Sequence, residues 1–412
     1  MTSTTNVLEG LRVLSFCHYL QGPAAGQYLA DMGADVVKVE PPSGAFERHW
    51  AGADTFVKDV SAFYLCGNRN KRSLAIDVKQ PEGREIVLRL ARDFDVVLEN
   101  FRPGVMDRLG LGYEDIRKVK PDIIYASASG FGTSGPDRDR PGQDLLVQAR
   151  TGLVAATAVA GTAPTAVGCA VVDQHGASLL AMGILGAYVR RLKTGKGTRV
   201  EASLLNAGID LQAEALTLYY SGNRDANILR RDSHLATWFH AAPYGVYRAV
   251  DAHIVLSLNE VGKLAQALRS DELATAAAGL VTGSAYTERD ALATLIAAAI
   301  APLTYDALSS AFDAAGIWYQ KVQNYDELRH DPQVVHNECF REVNVGERVA
   351  TLVAHPLRYD GSTPGLRHLA LSAGEDTSDV LAELGMGADE VEELERRGIV
   401  RATAAADATS CC

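Results

Sequence analysis

Residues 11–40, LRVLSFCHYLQGPAAGQYLADMGADVVKVE, decide the fold. Leu11 to Phe16 is an unbroken apolar run of strand length. Gly22-Pro23 opens a helix that runs to Met32, and Gly33 stops it before a second apolar run, Asp35 to Glu40. Strand, crossover helix and strand make the repeating unit of a parallel sheet, whose strands are buried on both faces and so lack polar alternation.

Working outward, Asp77 to Arg92 is amphipathic, with Pro81 in the first helical turn and Glu82 near the positive helix end. Asp95 to Leu98 reads as the third strand and Asp122 to Ser127 as the fourth, followed by the glycine-rich turn Gly130 to Pro136. Ala177 to Arg191, apolar on nearly every face, reads as a helix buried against the sheet, and Gly195-Lys-Gly197 turns the chain. Residues 199–220 read as mostly helical, and Ser221 to Ser233 as a polar linker. Two short strands between Ala242 and Leu258, then an alanine-rich helical stretch from Lys263 to Ala315, form a candidate small domain. After Tyr325 come a helix, strands near Val349 to Val353, and an acidic helix from Ser378 to Arg397. The expected division is 1–225 for the N-terminal part of a large α/β domain and 226–325 for a small α+β domain. Residues 326–400 return to the large domain, and 401–412 form a disordered tail.

Composition narrows the function. Hydrophobic residues make up 47% and charged residues 22%, values of a globular protein. The longest apolar stretch, Ala291 to Leu303, falls short of a bilayer span, so no membrane segment is expected. The first six residues lack the basic and apolar regions of a secretory signal, which points to the cytoplasm. Cysteines 17, 66, 169, 339, 411 and 412 show no metal-ligand or disulfide spacing, so reduced thiols and no metal are expected. A net charge of −11 argues against nucleic acid. An anionic ligand would need a local basic pocket, for which Arg69, Lys71 and Arg72 are candidates, with Lys38, Lys79, Arg102 and Arg108 in the same region. The alternative for each is a solvated surface charge.

The turn at 130–136 and the loop from His18 to Gly22 both follow strands and so converge on one sheet edge. Neither has the spacing of a dinucleotide fingerprint or a phosphate-binding loop, and no zinc-protease or serine-hydrolase signature occurs. Asp173 lies between VGCAVV (167–172) and an apolar helix. It can be read as a helix cap, or as a partly desolvated nucleophile with helix-start amides nearby. His18 is a ligand contact or a turn residue, and His175 a helix-start polar residue or a site residue.

Several segments together resemble the family III CoA-transferases, a family that includes formyl-CoA transferase, carnitine CoA-transferase and α-methylacyl-CoA racemase. In order they are LEGLRVLSF (8–16), GPAAGQYLADMGADVVKVEPPSG (22–44), NRNKRSLAIDVKQPEGRE (68–85), ENFRPGVMDRLGLGYEDI (99–116), SGFGTSGP (129–136), PGQDLLVQARTG (141–152) and KTGKGTRVEASLLNA (193–207). ELRHDPQV (327–334) and GEDTSDVLAELG (374–385) look like the family's closing segments.

The resemblance implies an interlocked homodimer with a Rossmann-like large domain built from both chain ends. It places the catalytic aspartate at Asp173 and CoA contacts at His18, Leu20, Gln21, Ile76, Lys79, Asn100, Phe101, Arg108, Gln143 and Leu204, with Arg102 and Asp144 shaping the same pocket. Coenzyme A is then a co-substrate, with no tightly bound cofactor. The implied chemistry is covalent: Asp173 passes through acyl anhydrides and an aspartyl-CoA thioester. The racemase branch has a histidine directly before the aspartate of a Gly-His-Asp motif, where this chain has Gln143 before Asp144. An amide cannot serve as that acid or base, which favours transfer over racemisation. A CoA-binding protein without turnover is the third reading.

Three departures bear on the acceptor. The glycine-rich flap of formyl-CoA transferase has no counterpart after Arg231, Ala45 replaces an acidic residue, and Leu20 replaces a glutamine. Acyl-CoA and small carboxylates are the expected partners. Succinyl-CoA with a small dicarboxylic acid leads, and Arg48, His49 and His240 are candidate binders of a distal carboxylate.

Overall fold

The computed structural model describes residues 5–222, 224–280 and 284–402. The tail expected to be disordered lies almost wholly outside them, as do Cys411 and Cys412. The chain divides into two compact units. The first holds the residues up to Val147, Ala170–Leu211 and those from Pro332 on, and the second holds Gln148–Cys169 and Gln212–Asp331.

In the first unit, β1 (Arg12–Phe16), β2 (Asp35–Glu40), β3 (Lys71–Ile76), β4 (Val96–Glu99), β5 (Ile124–Ser129) and β6 (Thr198–Ser203) run parallel in the order β3-β2-β1-β4-β5-β6. This is the order of the doubly wound dinucleotide-binding sheet, and it reverses direction at β1 and β4. Alternate side chains feed two cores. Leu14, Phe16, Val37, Leu74, Val97 and Tyr125 face α2 (Pro81–Ala91) through Ile86, Val87 and Leu90. Val13, Val36, Val96, Leu98, Ile124 and Ala126 face α1 (Gln21–Asp31) and α4 (Val171–Thr194) through Ala25, Leu29, Leu180 and Ile184. Burial on both faces is why β1 and β2 read as apolar runs.

Two of the parallel strands escape the sequence pattern. β3 begins with charge, yet Lys71 is only 1% exposed. Its ammonium donates to the carbonyls of Pro23 and Gly67 and to Asn68 Oδ1 at 2.7–2.9 Å, which makes a lysine tolerable there. β6 opens the stretch expected to be helical. Ser203 ends it by capping α5 (Leu204–Asp210), accepting the Asn206 N–H at 3.1 Å. α4 starts six residues earlier than expected, at Val171. It is buried along one face only, since Met182 (62%) and Leu192 (67%) are exposed.

The chain's later part returns to this sheet. β12 (Val400–Arg401) pairs antiparallel with β3, Val400 opposite Ile76. The expected acidic helix is two helices, Thr377–Ala382 and Ala388–Arg396, and Val380, Leu381 and Leu394 join the first core. A hairpin of β10 (Phe340–Val345) and β11 (Arg348–Val353) packs with Leu65 in a separate cluster. No single helix among the described residues is long and apolar enough to cross a membrane.

The second unit carries the antiparallel sheet β9-β8-β7 of β7 (Gly245–Arg248), β8 (His253–Leu256) and β9 (Tyr319–Lys321). Tyr247, Ile254, Leu256, Leu292, Ile296 and Phe312 fill its core with the surrounding helices. Residues 148–169, 212–225 and 326–331, which the sequence pattern assigns to the large domain, group here instead. The reason is long-range bonding: Arg231 donates to the carbonyls of Ala156, Thr157 and Ala158, and Gln212 Nε2 to that of Thr151.

Candidate active site

The residues expected to contact CoA follow carboxyl ends of the parallel strands. His18, Leu20 and Gln21 follow β1, Ile76 ends β3 with Lys79 just beyond, and Asn100, Phe101, Arg102 and Arg108 follow β4. Gln143 and Asp144 come after β5, and Leu204 begins α5 directly after β6. A doubly wound sheet opens its ligand crevice on this edge, where strand order reverses.

The loop after β1 is built by non-local bonds. Asn100 accepts the His18 N–H and donates to the His18 carbonyl, both at 2.8 Å, which clamps the ends of β1 and β4 together. Beneath it, Lys38 Nζ donates to the Cys17 carbonyl and to Glu47, each at 2.7 Å. Tyr19 adopts φ 59°, the left-handed region a bulky residue rarely holds, so the clamp stabilises a strained loop. The His18 ring meets Phe101 edge-on at 4.3 Å. Burial, with Lys38 nearby, lowers its pKa to about 4, so the imidazole is neutral at pH 7.

Gln21 opens α1 and is 4% exposed, yet its Nε2 has no hydrogen-bond partner. It lies against the first turns of α4, where a Cβ on Gly176 would come within 2.7 Å of it. An unpaired buried donor is costly unless a ligand supplies the acceptor.

Asp173 is the third residue of α4. The N-cap position is Ala170, so the cap reading of Asp173 does not hold. The cap arrives from α3 (Asp144–Arg150): Asp144 Oδ1 accepts the N–H groups of Val172 at 2.7 Å and Asp173 at 3.0 Å. Those two amides are therefore taken and do not serve an incoming oxyanion. The Asp173 carboxylate has no hydrogen bond or ion pair among the described residues. Burial first, then the Asp144 charge, raise its pKa from 3.8 to about 7. Leu204 packs with Val147, Val172 and Ala207 under this turn.

The expected contacts thus form two groups. His18, Asn100 and Phe101 touch one another, and Gln21, Asp144 and Leu204 adjoin the start of α4. Gln143 is exposed, its carbonyl accepting the Val147 N–H at 3.0 Å. Lys79, Arg102 and Arg108 are exposed, Ile76 is buried, and none of these five is bonded to Asp173. Arg102 lines a cavity of about 230 Å³ with Glu99, Tyr125, Arg138 and Arg199. Burial raises the Glu99 pKa to about 7, and Glu99 accepts the Phe101 N–H at 3.0 Å. The sequence pattern gave Glu99 no role, although it directly precedes Asn100 in the ENFRPG segment.

Several other candidates are engaged within the fold. Arg69 is locked on Asp31 at 2.7 Å, Lys71 is buried, and Arg72 pairs with Asp35 at 2.7 Å, so no basic pocket forms there. Arg48 spends its donors on Glu40, Tyr64 and the carbonyls of Ala370 and Leu371, leaving none for a substrate. His49 bonds the Ser43 carbonyl and His240 bonds Thr237. His175 pairs with Asp210 at 2.7 Å.

The chain is similar to known proteins over most of its length. Residues 8–377 match CoA-transferase family III. The chain is 32% identical to a succinyl-CoA–D-citramalate CoA-transferase of Chloroflexus aurantiacus, over 95% of this chain and 98% of that one. It is 32% identical to the succinyl-CoA:glutarate CoA-transferase of Mus musculus, over 82% and 77%. A CAIB/BAIF family protein from Brucella suis superimposes with a TM-score of 0.78 at 27% identity, covering 92% of this chain and 99% of that one. The chain belongs to CoA-transferase family III and is a CoA-transferase by that membership.

Proposed function

We infer that this family III enzyme moves CoA from an acyl-CoA donor, succinyl-CoA foremost, to a small carboxylic or dicarboxylic acid, with Asp173 as the nucleophile. The observation that carries the reading is the Asp173 carboxylate itself: partly buried, unpaired among the described residues, and on the first turns of α4, against which the unsatisfied Gln21 amide lies at Gly176. An aspartate spared every partner is poised to attack a carbonyl carbon.

In the first step an Asp173 oxygen bonds to the thioester carbon, the C–S bond breaks and CoA leaves as thiolate. The thiolate then attacks the aspartyl carbonyl, releasing the donor acid and leaving an aspartyl-CoA thioester. The acceptor carboxylate attacks that thioester and expels the thiolate, which takes the acyl group from the second anhydride and restores Asp173. Each tetrahedral intermediate places negative charge on an oxygen, and Gln21 Nε2 is the donor left free to receive it. Loop 17–21, clamped by Asn100, and the segment 100–108 hold the CoA chain along the strand edge.

The donor follows the succinyl-CoA-dependent relatives. With Arg48 occupied, selection of a distal carboxylate falls to other groups. The enzyme acts as a homodimer in this reading, a second copy covering the exposed apolar face of α4 at Met182 and Leu192. Its exposed, unpaired thiols Cys66 and Cys169 suit the cytoplasm.

The test is incubation with succinyl-CoA and a panel of carboxylates, followed by chromatography of the CoA esters. New esters are expected from the native enzyme and none from Asp173→Ala, which retains CoA binding. Full transfer by that variant, or α-proton exchange of a chiral acyl-CoA without any transfer, overturns the reading.

A further inference from the structure

Asp144 stands where an N-cap side chain of α4 would ordinarily rest. A carboxylate in the first turn of a helix bonds to the exposed N–H groups and is stabilised by the positive helix end. α4 offers those donors at Val172 and Asp173, and its N-cap residue, Ala170, has no side chain to engage them. Asp144 Oδ1 takes both, at 2.7 and 3.0 Å. Among the described residues no lysine or arginine acts on Asp173: α1 presents Gln21 and Tyr28 to this part of α4, and Asp210 of α5 is tied to His175.

We propose that Asp144 is a positioning residue for Asp173: by capping α4 from outside the helix it denies Asp173 those amides and sets a fixed negative charge beside it. The proposal rests on the reading of Asp173 as nucleophile. Its chemical consequence follows from charge. Attack on the thioester joins an Asp173 oxygen to the acyl carbon, breaks C–S and moves the negative charge to the departing thiolate. Asp173 is then neutral, and remains neutral as the aspartyl-CoA thioester, so repulsion from Asp144 is relieved in both covalent states. Charge repulsion between neighbouring carboxylates raises proton affinity for the same reason. The raised pKa of Asp173, to which Asp144 contributes after burial, is in keeping with this.

Two variants separate charge from capping. Asp144→Asn keeps an oxygen that accepts both N–H groups and removes the charge, while Asp144→Ala removes both. In the Asn variant the acid limb of kcat/KM should move down by about half a unit to one unit. The fraction of enzyme trapped by hydroxylamine with acyl-CoA and no acceptor, read by intact mass at pH 8, should fall several-fold. The Ala variant should fall further, because the freed amides draw Asp173 in. If the Asn variant folds and binds CoA with its acid limb and trapped fraction unmoved, the proposal is overturned. Asp173→Ala run in parallel tells the two readings apart: an inactive Asp173→Ala beside an unchanged Asp144→Asn removes only the role of Asp144, whereas an active Asp173→Ala removes the nucleophile as well.

Discussion

Replacing Asp173 with asparagine should make the protein more stable at pH 8 while abolishing transfer. The folded-state pKa of Asp173 lies near 7 against 3.8 for the free side chain, a rise of about 3 units. At roughly 1.4 kcal/mol per unit, ionising this group in the fold costs at most about 4 kcal/mol. Partial exposure and local relaxation reduce that to about 1–3 kcal/mol. The sign follows from proton binding. Between pH 3.8 and about 7 the folded protein holds a proton that the unfolded chain has released, so stability falls as pH rises through that window. Below it the cost is absent, and above it the cost is complete. Asparagine matches the shape and carries no charge. Urea unfolding of both proteins from pH 4 to pH 8 should therefore give nearly equal midpoints at the acid end and a growing advantage for the variant above pH 5. A variant less stable than the parent, or an advantage independent of pH, would refute the claim that Asp173 is held against an electrostatic penalty.

Two further substitutions test the scaffold around it. Asn100→Ala removes both bonds to the His18 backbone, which should lower stability by roughly 1–3 kcal/mol. Because the released loop carries expected CoA contacts, KM for acyl-CoA should rise more than kcat falls; equal stability and an unchanged KM would show the clamp to be idle. Arg48→Ala strands the buried Glu40 carboxylate and should destabilise by roughly 3–5 kcal/mol. Any surviving enzyme should keep its acceptor preference, so a folded variant with a changed acceptor profile would restore Arg48 as a substrate ligand.

Where local chemistry governs structure, the sequence was readable. β1, α1 and β2 follow from apolar runs punctuated by Gly-Pro and glycine, and β2 occupies its expected residues, Asp35–Glu40. Reading failed where distant groups decide. β3 begins with Lys71-Arg72, which looks like surface, and no local signal tells that carbonyls of Pro23 and Gly67 await the lysine. β6 carries the alternation of an edge strand beside a real helix, and the two merge in sequence. At the site the same contrast appears. Asp173 stands shortly before the apolar run at Ala177, so its pattern alone favours a cap, but the helix begins at Val171 and its first amides go to Asp144, 29 residues away from Asp173. Gln21 as an unsatisfied donor could not be seen at all, because that property is set by what surrounds it.

The treatment of buried charge in the first unit separates scaffold from site. Lys38 meets Glu47, Arg48 meets Glu40 and Arg69 meets Asp31, each pair within 2.8 Å and nearly solvent-free. Such pairs contribute little net stability, but losing either partner is expensive, so they fix geometry more than they add to stability. Lys38 shows the use of that rigidity, since its second bond holds the Cys17 carbonyl at the root of the strained loop. Asp173 departs from this pattern. It is only partly buried, has no cation as a partner, and the charge acting on it, that of Asp144, has its own sign. A fold that pairs Glu47, Glu40 and Asp31 with cations and leaves Asp173 beside a like charge holds there a carboxylate that gains by losing its charge. Protonation relieves it, and so does acylation. On the proposed role of Asp173, protonation silences the nucleophile, so transfer should fall as pH drops below about 7, whereas acylation relieves the same repulsion along the reaction path.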